Sequence, residues 1–123
     1  KYRRNVERYA DILPYEVGPA EWLALLDNAE EVCTDSFHGV AFSINFRKPF
    51  AAIKKGGNAF NNRDDRLKTI MSFGDAETMV LGDDASTLDI QNAISHSGDF
   101  NYEKLNDSIN RSKTFLKRYC VVD

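Results

Sequence analysis

Short apolar blocks alternate along the chain with longer stretches whose apolar residues have helical spacing. Val32–Thr34 and Phe50–Ile53 are short blocks bounded by polar or proline-containing turns, which predicts two buried strands. The stretch between them keeps the i, i+3, i+4, i+7 spacing of a helix at Phe37, Val40, Ala41 and Ile44. Phe42 and Phe46 cover a second side, so this helix should be buried on most sides.

The remaining apolar pattern continues the same alternation. Pro19 suits the first position of a helix that runs to about Asn28. Later segments are predicted in this order: a helix at 63–73, a strand at 78–81, a helix from Ser86 or Thr87 to about Ser95, and a final helix at 102–119. Helices that alternate with strands through short links predict one α/β domain over residues 1–123, with a mainly parallel sheet.

A polar turn joins the first strand to the central helix and carries the most interesting chemistry. Ser36 is placed to cap the helix, and Asp35 offers a second capping oxygen. His38 falls in the first turn, where backbone N–H groups have no partner in the helix, and Gly39 leaves room for a close approach. A strand end followed by a helix start predicts an anion site, because the helix dipole favours negative charge there.

Capping by itself also explains Asp35 and Ser36, and a histidine packed at a helix start is common in proteins without a ligand. A Ser–His–Asp hydrolase is disfavoured, because Ser36 and His38 lie two residues apart on a helix and their side chains diverge. His96 falls in a polar turn and is interpreted as a solvated residue.

Basic residues are concentrated directly after the central helix. No Lys or Arg occurs from residue 10 to residue 46. The next segment contains Arg47, Lys48, Lys54, Lys55, Arg63, Arg66 and Lys68, against Asp64 and Asp65. This segment is either a solvated basic face or a patch that attracts a small anionic substrate. A nucleic-acid surface is disfavoured, since the chain of 123 residues has a net charge of −3.

The loop at 54–62 leaves the carboxyl end of the second strand and should overhang the same sheet edge as His38. Its glycines and polar side chains predict a loop that closes over a ligand. Arg63 and Arg66, three apart on a helix, share a face and could hold a phosphate or a carboxylate between them.

The cysteines and the chain ends add little chemistry. Cys33 and Cys120 are interpreted as reduced cysteines of an intracellular protein, and no cluster with the spacing of metal ligands is present. No apolar run reaches the length of a membrane span. Because the first residue is Lys1, we expect a fragment in which residues 1–15 are a remnant or linker from an upstream segment.

Several blocks of the sequence form a recognisable set. The most specific block is Thr34-Asp35-Ser36-Phe37-His38-Gly39. Blocks at 21–30, 42–46 and 48–50 accompany it, and Asn62-Arg63 and the final helix follow later in the chain. Together these blocks resemble the polysaccharide pyruvyl transferase family. The resemblance covers most of the chain from about Glu16.

The resemblance implies a fold and an activity. The fold would be a Rossmann-like parallel sheet with flanking helices, the C-terminal half of a two-domain enzyme of the GT-B type. The family transfers an enolpyruvyl group from phosphoenolpyruvate to a sugar, usually as a cyclic pyruvyl ketal. No cofactor or metal is implied beyond phosphoenolpyruvate as the donor substrate.

The resemblance also implies roles for individual residues. His38 matches the family's catalytic or phosphate-contacting histidine, and Arg63 matches the arginine of its next block. Our hypothesis from the residues is that His38 is the catalytic general acid. The donor's phosphate and carboxylate would be bound by Ser36, Phe37, Gly39, Arg63, Lys54 and Lys55, supported by Asp35, Asn62 and Arg66.

The implied partners are a sugar or lipid-linked saccharide acceptor and an absent N-terminal domain, with no nucleic acid and no membrane span. The implied setting is bacterial exopolysaccharide synthesis, in the cytoplasm or at the inner membrane surface. Two alternatives stay open: the nucleotide-binding half of a GT-B glycosyltransferase, and a non-catalytic α/β module that binds a partner protein.

Overall fold

A computed structural model describes residues 10–12, 16–54 and 63–120; for residues 63–65 it describes the backbone only. The helices are α1 Pro19–Asn28, α2 Phe37–Asn45, α3 Arg63–Ser72, α4 Thr87–His96 and α5 Tyr102–Cys120. The strands are β1 Val32–Thr34, β2 Phe50–Ile53 and β3 Val80–Leu81. The predicted order of elements is confirmed. The third strand is shorter than expected, because Glu77–Met79 forms a 3₁₀ turn before it.

The three described strands form a parallel sheet in the order β1-β2-β3. Val32 pairs with Phe50 and Thr34 with Ala52, and Ile53 pairs with Leu81 on the other side of β2. Parallel neighbours need a crossover, and α2 and α3 provide the two crossovers. This arrangement confirms the predicted α/β class with a Rossmann-like parallel sheet flanked by helices.

The core lies around the central strand. Phe50, Ala51 and Ala52 of β2 are buried. Val40 and Ile44 of α2 cover the strand from one crossover. Leu67 and Met71 of α3, and Phe100 in the turn before α5, complete the cluster. Central strands of parallel sheets are covered on both faces and therefore read as continuous apolar runs, as β2 does.

The first strand is not buried throughout, which corrects the prediction for Cys33. Val32 is buried, Cys33 is exposed and Thr34 is half-buried. Side chains alternate between the two faces of a strand, so Cys33 faces away from the side on which Val32 is buried. Among the described strands, β1 pairs with β2 alone. Partial desolvation, together with the charge of Asp35, raises the pKa of the Cys33 thiol.

Helix α2 ends at Asn45, one residue before Phe46, the last residue of its apolar pattern. Arg47 has a φ of 54°, in the left-handed region, and Lys48 N–H donates to the Ser43 carbonyl at 2.9 Å. The Arg47 guanidinium then lies 4.3 Å from the centre of the Tyr102 ring. The end of α2 is thereby tied to the start of α5.

The start of α5 is also fixed to the turn after α3. Asn101 N–H donates to the Gly74 carbonyl at 2.9 Å, and Lys104 Nζ donates to the Ser72 carbonyl at 3.0 Å and to the Asp75 carboxylate. The rest of α5, from residue 110 onward, is exposed at every position. Within the described ranges, no helix is both long and apolar enough to cross a membrane.

Candidate functional site

The turn between β1 and α2 is built by hydrogen bonds among its own residues. The Ser36 N–H donates to Thr34 Oγ1 at 3.1 Å, and Ser36 Oγ accepts from the Gly39 N–H at 3.4 Å. The predicted N-cap role of Ser36 is therefore confirmed. Asp35 lies exposed in the same turn. Thr34 fixes the backbone of the residue that caps the helix.

Gly39 is buried and serves packing of α2 on β1. A Cβ atom at this position would come within 2.5 Å of Thr34 Oγ1 and 2.9 Å of its Cγ2. The space that the sequence suggested for an approaching ligand is thus occupied by the Thr34 side chain. The Gly39 carbonyl also accepts from Ser43 Oγ at 2.8 Å, so both backbone polar groups of Gly39 are used inside the fold.

Two backbone amides at the helix start stay outside the helical hydrogen bonding. The Gly39 amide is capped by Ser36 Oγ, and the Val40 amide donates to the Ser36 carbonyl at 3.0 Å. The first amides of a helix have no acceptor within the helix. In α2 the amides of Phe37 and His38 are therefore the two that make no helical hydrogen bond. An anion at this helix start would therefore meet these two amides rather than the amide of Gly39.

His38 is exposed, and its ring is supported from one side. It lies in the first turn of α2, and its ring centroid is 5.6 Å from that of Phe37, with the two rings at 82°. Phe37 is half-buried and packs against the core. Because α2 is packed into the core, the backbone of His38 is held in place while its imidazole stays open to solvent. A side chain that donates a proton to a bound substrate needs both properties.

The sheet brings the next strand end to the same edge. Because Thr34 pairs with Ala52 in parallel register, Lys54 follows β2 level with Ser36. Its N–H donates to the Leu81 carbonyl at 2.7 Å, which fixes the backbone at this point. The acidic turn at 82–84 follows β3 at this same edge, where Gly82 is level with Lys54. Sequence reasoning had not placed these carboxylates near the site.

Arg66 reaches the site through Phe37. Its guanidinium lies 5.7 Å from the centre of the Phe37 ring, within the range of a cation–π contact. Arg66 is exposed on α3, so the second crossover helix supplies a positive charge next to the residue that precedes His38. An apolar groove of about 400 Å³ between α2, α3 and α5 has Phe37 and Arg66 among its lining residues.

Other predicted site residues lie outside what the structure describes. Lys55 and Asn62 belong to the undescribed segment at 55–62, and the expected closing loop lies there with them. Arg63 is the first residue of α3, with only its backbone described. The paired action of Arg63 and Arg66 therefore stays a prediction. Among the described residues, no group of three His, Cys, Asp or Glu side chains is arranged to hold a metal ion.

The described part of the site thus joins residues from three elements at one edge of the sheet. The β1–α2 turn provides His38 and two backbone amides, β2 leads into Lys54, and α3 provides Arg66. These groups can bind an anion and deliver a proton. The hydrogen bond that Thr34 accepts from the backbone of this turn was not predicted from the sequence. A threonine at the end of a strand is a known signal of such bonding, because its hydroxyl can bond to the backbone two residues later.

Comparison with known proteins identifies a family for part of the chain. Residues 2–54 match the family model described as polysaccharide pyruvyl transferase. The match contains β1, α2 and the whole β1–α2 turn. It begins at residue 2, upstream of Glu16, where the sequence blocks predicted that the resemblance begins. It ends at Lys54, so Asn62-Arg63 and the final helix lie outside it. No curated protein and no solved structure matches the chain.

Proposed function

We propose a donor, an acceptor and a reaction for this chain, whose residues 2–54 match the polysaccharide pyruvyl transferase family model. The donor is phosphoenolpyruvate, and the acceptor is a sugar of a surface polysaccharide, free or lipid-linked. The product is a pyruvyl ketal. The chain acts as the C-terminal domain of a two-domain transferase of the GT-B type and needs its N-terminal domain for activity.

The observation that carries this proposal is the position of His38. It is an exposed histidine in the first turn of a helix packed into the core, inside the residues that match the family. Two amides free of helical bonding lie at the same turn, and Lys54 follows the adjacent strand at the same edge. An acid next to an anion site suits a donor that carries both a phosphate and a double bond to protonate.

The chemistry requires no oxidation or reduction. His38 gives its proton to the methylene carbon of phosphoenolpyruvate, and that carbon becomes a methyl group. The neighbouring carbon gains positive character, and a sugar hydroxyl attacks it and forms the first C–O bond. The bond from that carbon to the phosphate oxygen then breaks as a second hydroxyl closes the ketal. One hydroxyl proton returns to His38 and the other leaves with the phosphate.

The anionic groups of the donor need positive partners while this charge shifts. The amides of Phe37 and His38 and the positive end of the α2 dipole suit the phosphate. Lys54 and Arg66 add charges from the neighbouring strand and helix. Arg63 and Lys55, with Asn62 in support, complete the proposed set. Fixed charges and dipoles of this kind stabilise a transition state because they need no reorientation during the reaction.

The first experiment is an NMR titration of this chain with phosphoenolpyruvate and, separately, with UDP. We expect amide shifts at 35–39 and at Lys54 with phosphoenolpyruvate, and none with UDP. Shifts with UDP alone would instead support a glycosyltransferase half. An absence of shifts with either ligand would contradict a donor site on this domain.

The second experiment measures pyruvyl transfer by the complete enzyme that contains this chain. His38→Ala should lower the rate by about 10²–10⁴-fold, the usual contribution of a general acid. His96→Ala is the matched control, because His96 lies at the end of α4 with Nδ1 2.7 Å from the Asn92 carbonyl oxygen. A loss below about tenfold for His38→Ala would refute the acid role.

A further inference from the structure

We propose that the C-terminal half of α5, residues 108–120, is an amphipathic helix that lies on an anionic lipid surface. This surface-binding segment combines exposed apolar side chains with basic side chains on both of their flanks. The proposal does not depend on the reaction assigned to the β1–α2 turn.

Three large apolar side chains of this segment are uncovered. Phe115 is 59% exposed, Leu116 53% and Tyr119 63%. Leu116 lies on the side of α5 that packs against the core earlier in the helix, through Tyr102 and Leu105. Phe115 and Tyr119 also contact each other, with ring centroids 4.8 Å apart. A contiguous exposed apolar patch of this kind marks an interaction surface.

Projection down the helix axis separates the apolar and basic side chains. With 3.6 residues per turn, Phe115, Tyr119 and Leu116 fall within an arc of about 100°. Arg111 and Arg118 follow on the Phe115 side of this arc and Lys113 on the Leu116 side, while Lys117 lies next to Asn110 on the opposite face. Asn110 and Thr114 occupy the opposite face. This distribution is typical of helices that lie in a membrane interface, where flanking bases reach the phosphates.

The charge of the segment specifies the partner. Residues 108–120 contain four basic residues and no acidic residue, in a chain whose net charge is −3. The helix dipole explains a preference for bases in the last turn, at Lys117 and Arg118. It does not explain Arg111 and Lys113, which lie about two turns before the helix ends. A surface rich in phosphate complements the bases that flank the apolar arc.

The hydroxyl groups on this segment are compatible with burial at an interface. Ser112 lies in the middle of the apolar arc, and its Oγ donates to the Ser108 carbonyl at 3.0 Å. Ser108 Oγ donates to the Lys104 carbonyl at 3.1 Å. A hydroxyl already bonded to the backbone costs less to remove from water than an unbonded one.

A second copy of the chain is a less suitable partner for this surface. Pairing two such helices along their apolar arcs would bring the flanking bases of one copy next to those of the other. Like charges facing each other across an interface oppose association. An anionic bilayer instead neutralises the bases and accepts the aromatic rings, since aromatic side chains with a polar end favour the membrane–water boundary.

Co-sedimentation of the 123-residue chain with lipid vesicles tests the proposal. We expect binding to vesicles of equal parts phosphatidylcholine and phosphatidylglycerol, and little binding to phosphatidylcholine alone. Arg111→Glu with Arg118→Glu should weaken binding by about tenfold or more, because each base near an anionic surface contributes roughly 1 kcal/mol. Phe115→Ser with Leu116→Ser should weaken it as well, since apolar area is lost.

The matched control carries the same change in charge elsewhere. Lys48→Glu with Lys68→Glu alters the net charge equally, on the turn after α2 and on α3. Equal binding by this control and by the Arg111→Glu, Arg118→Glu variant would overturn the proposal, because attraction would then be unspecific. No binding to anionic vesicles would overturn it too.

Two other outcomes would assign this surface to a different partner. If light scattering shows dimers and the Phe115→Ser, Leu116→Ser variant abolishes them, the partner is a second copy of the chain. If the chain binds polyglutamate but not vesicles, the partner is an acidic protein.

Discussion

Helix α2 and the C-terminal half of α5 both carry aromatic and aliphatic side chains at helical spacing, yet they have opposite surroundings. In α2, Val40 and Ile44 are buried against the sheet, and Trp22 of α1 packs edge-on against Phe42 with centroids 5.5 Å apart. In α5, the apolar side chains beyond residue 110 are exposed. The comparison teaches that periodicity predicts an apolar face, while the neighbouring elements decide whether that face becomes core or surface.

The difference also separates two uses of apolar residues. The apolar face of α2 fixes the position of His38 and of the β1–α2 turn. A helix that packs on a strand with one side and on α1 with another can neither rotate nor shift without losing these contacts. The exposed face of α5 leaves the core of this domain unaffected and is available to a partner. Substitutions that compare the two faces should therefore differ in their effect on folding.

The largest expected difference lies between two phenylalanines. Phe50→Ala removes a ring that is 2% exposed and should lower the free energy of unfolding by about 3–5 kcal/mol, because a cavity replaces it in the core. Phe115→Ala, at a ring 59% exposed, should change it by less than about 0.5 kcal/mol. Urea denaturation followed by circular dichroism measures both. Equal destabilisation would mean that α5 is covered in solution.

An intermediate effect is expected where α2 touches β1. Gly39→Ala places a methyl group within 2.5 Å of Thr34 Oγ1 and should destabilise the fold by about 1–3 kcal/mol, since helix and strand must separate. Gly98→Ala is the matched control, because no atom lies within 4 Å of its added carbon. Thermal melting of both variants compares them. A Gly39→Ala variant as stable as the control would show that the turn adapts easily, which would weaken the case for a rigidly held His38.

The smallest effect concerns the contact that attaches α5 to the turn after α3. The hydrogen bond from Lys104, assisted by its charge and by Asn101, lowers the pKa of the Asp75 carboxyl. A lowered pKa in the folded state adds stability above the ordinary carboxyl pKa, and this stability is lost as the pH falls through the lowered value. Asp75→Asn should therefore reduce the loss of stability on acidification, by a small amount because both side chains are exposed and screened.

Urea midpoints at neutral and acidic pH measure that difference. Asn suits this position, because residue 75 has a φ of 56° and Asn tolerates the left-handed region. Asp83→Asn, on the exposed turn after β3, is the control. The same loss of stability on acidification in the Asp75→Asn chain and in the unmodified chain would mean that the Lys104 contact does not hold α5 in solution.

The elements themselves were predictable because they depend on local pattern. Pro19 marked the start of α1, Ser36 the cap of α2, and the apolar run at 50–53 the buried strand. The parallel sheet followed from the alternation of helices and strands. The segment around His38 was also accessible, since a strand end and a capped helix start are read from neighbouring residues, and the family match at residues 2–54 includes it.

Contacts between distant residues were not accessible in the same way. The closeness of Arg66 to Phe37 depends on how α3 crosses the sheet. The alignment of Lys54 with Ser36 at one edge of the sheet depends on the register of β1 with β2. The exposure of Cys33 depends on which face of β1 is covered. The role of Gly39 changed most: its missing side chain makes room for Thr34, which the sequence places five residues away without showing that the two touch.

The sequence by itself determined the helices and strands, the α/β class and the residues able to carry a proton or bind an anion, because spacing, capping and side-chain chemistry are local properties. Only the tertiary structure decided which apolar faces are covered and which charges meet at the sheet edge. Those outcomes depend on register and crossover packing, which bring together residues far apart in the chain. The same apolar spacing thus gave a buried support for His38 in α2 and an exposed surface in α5.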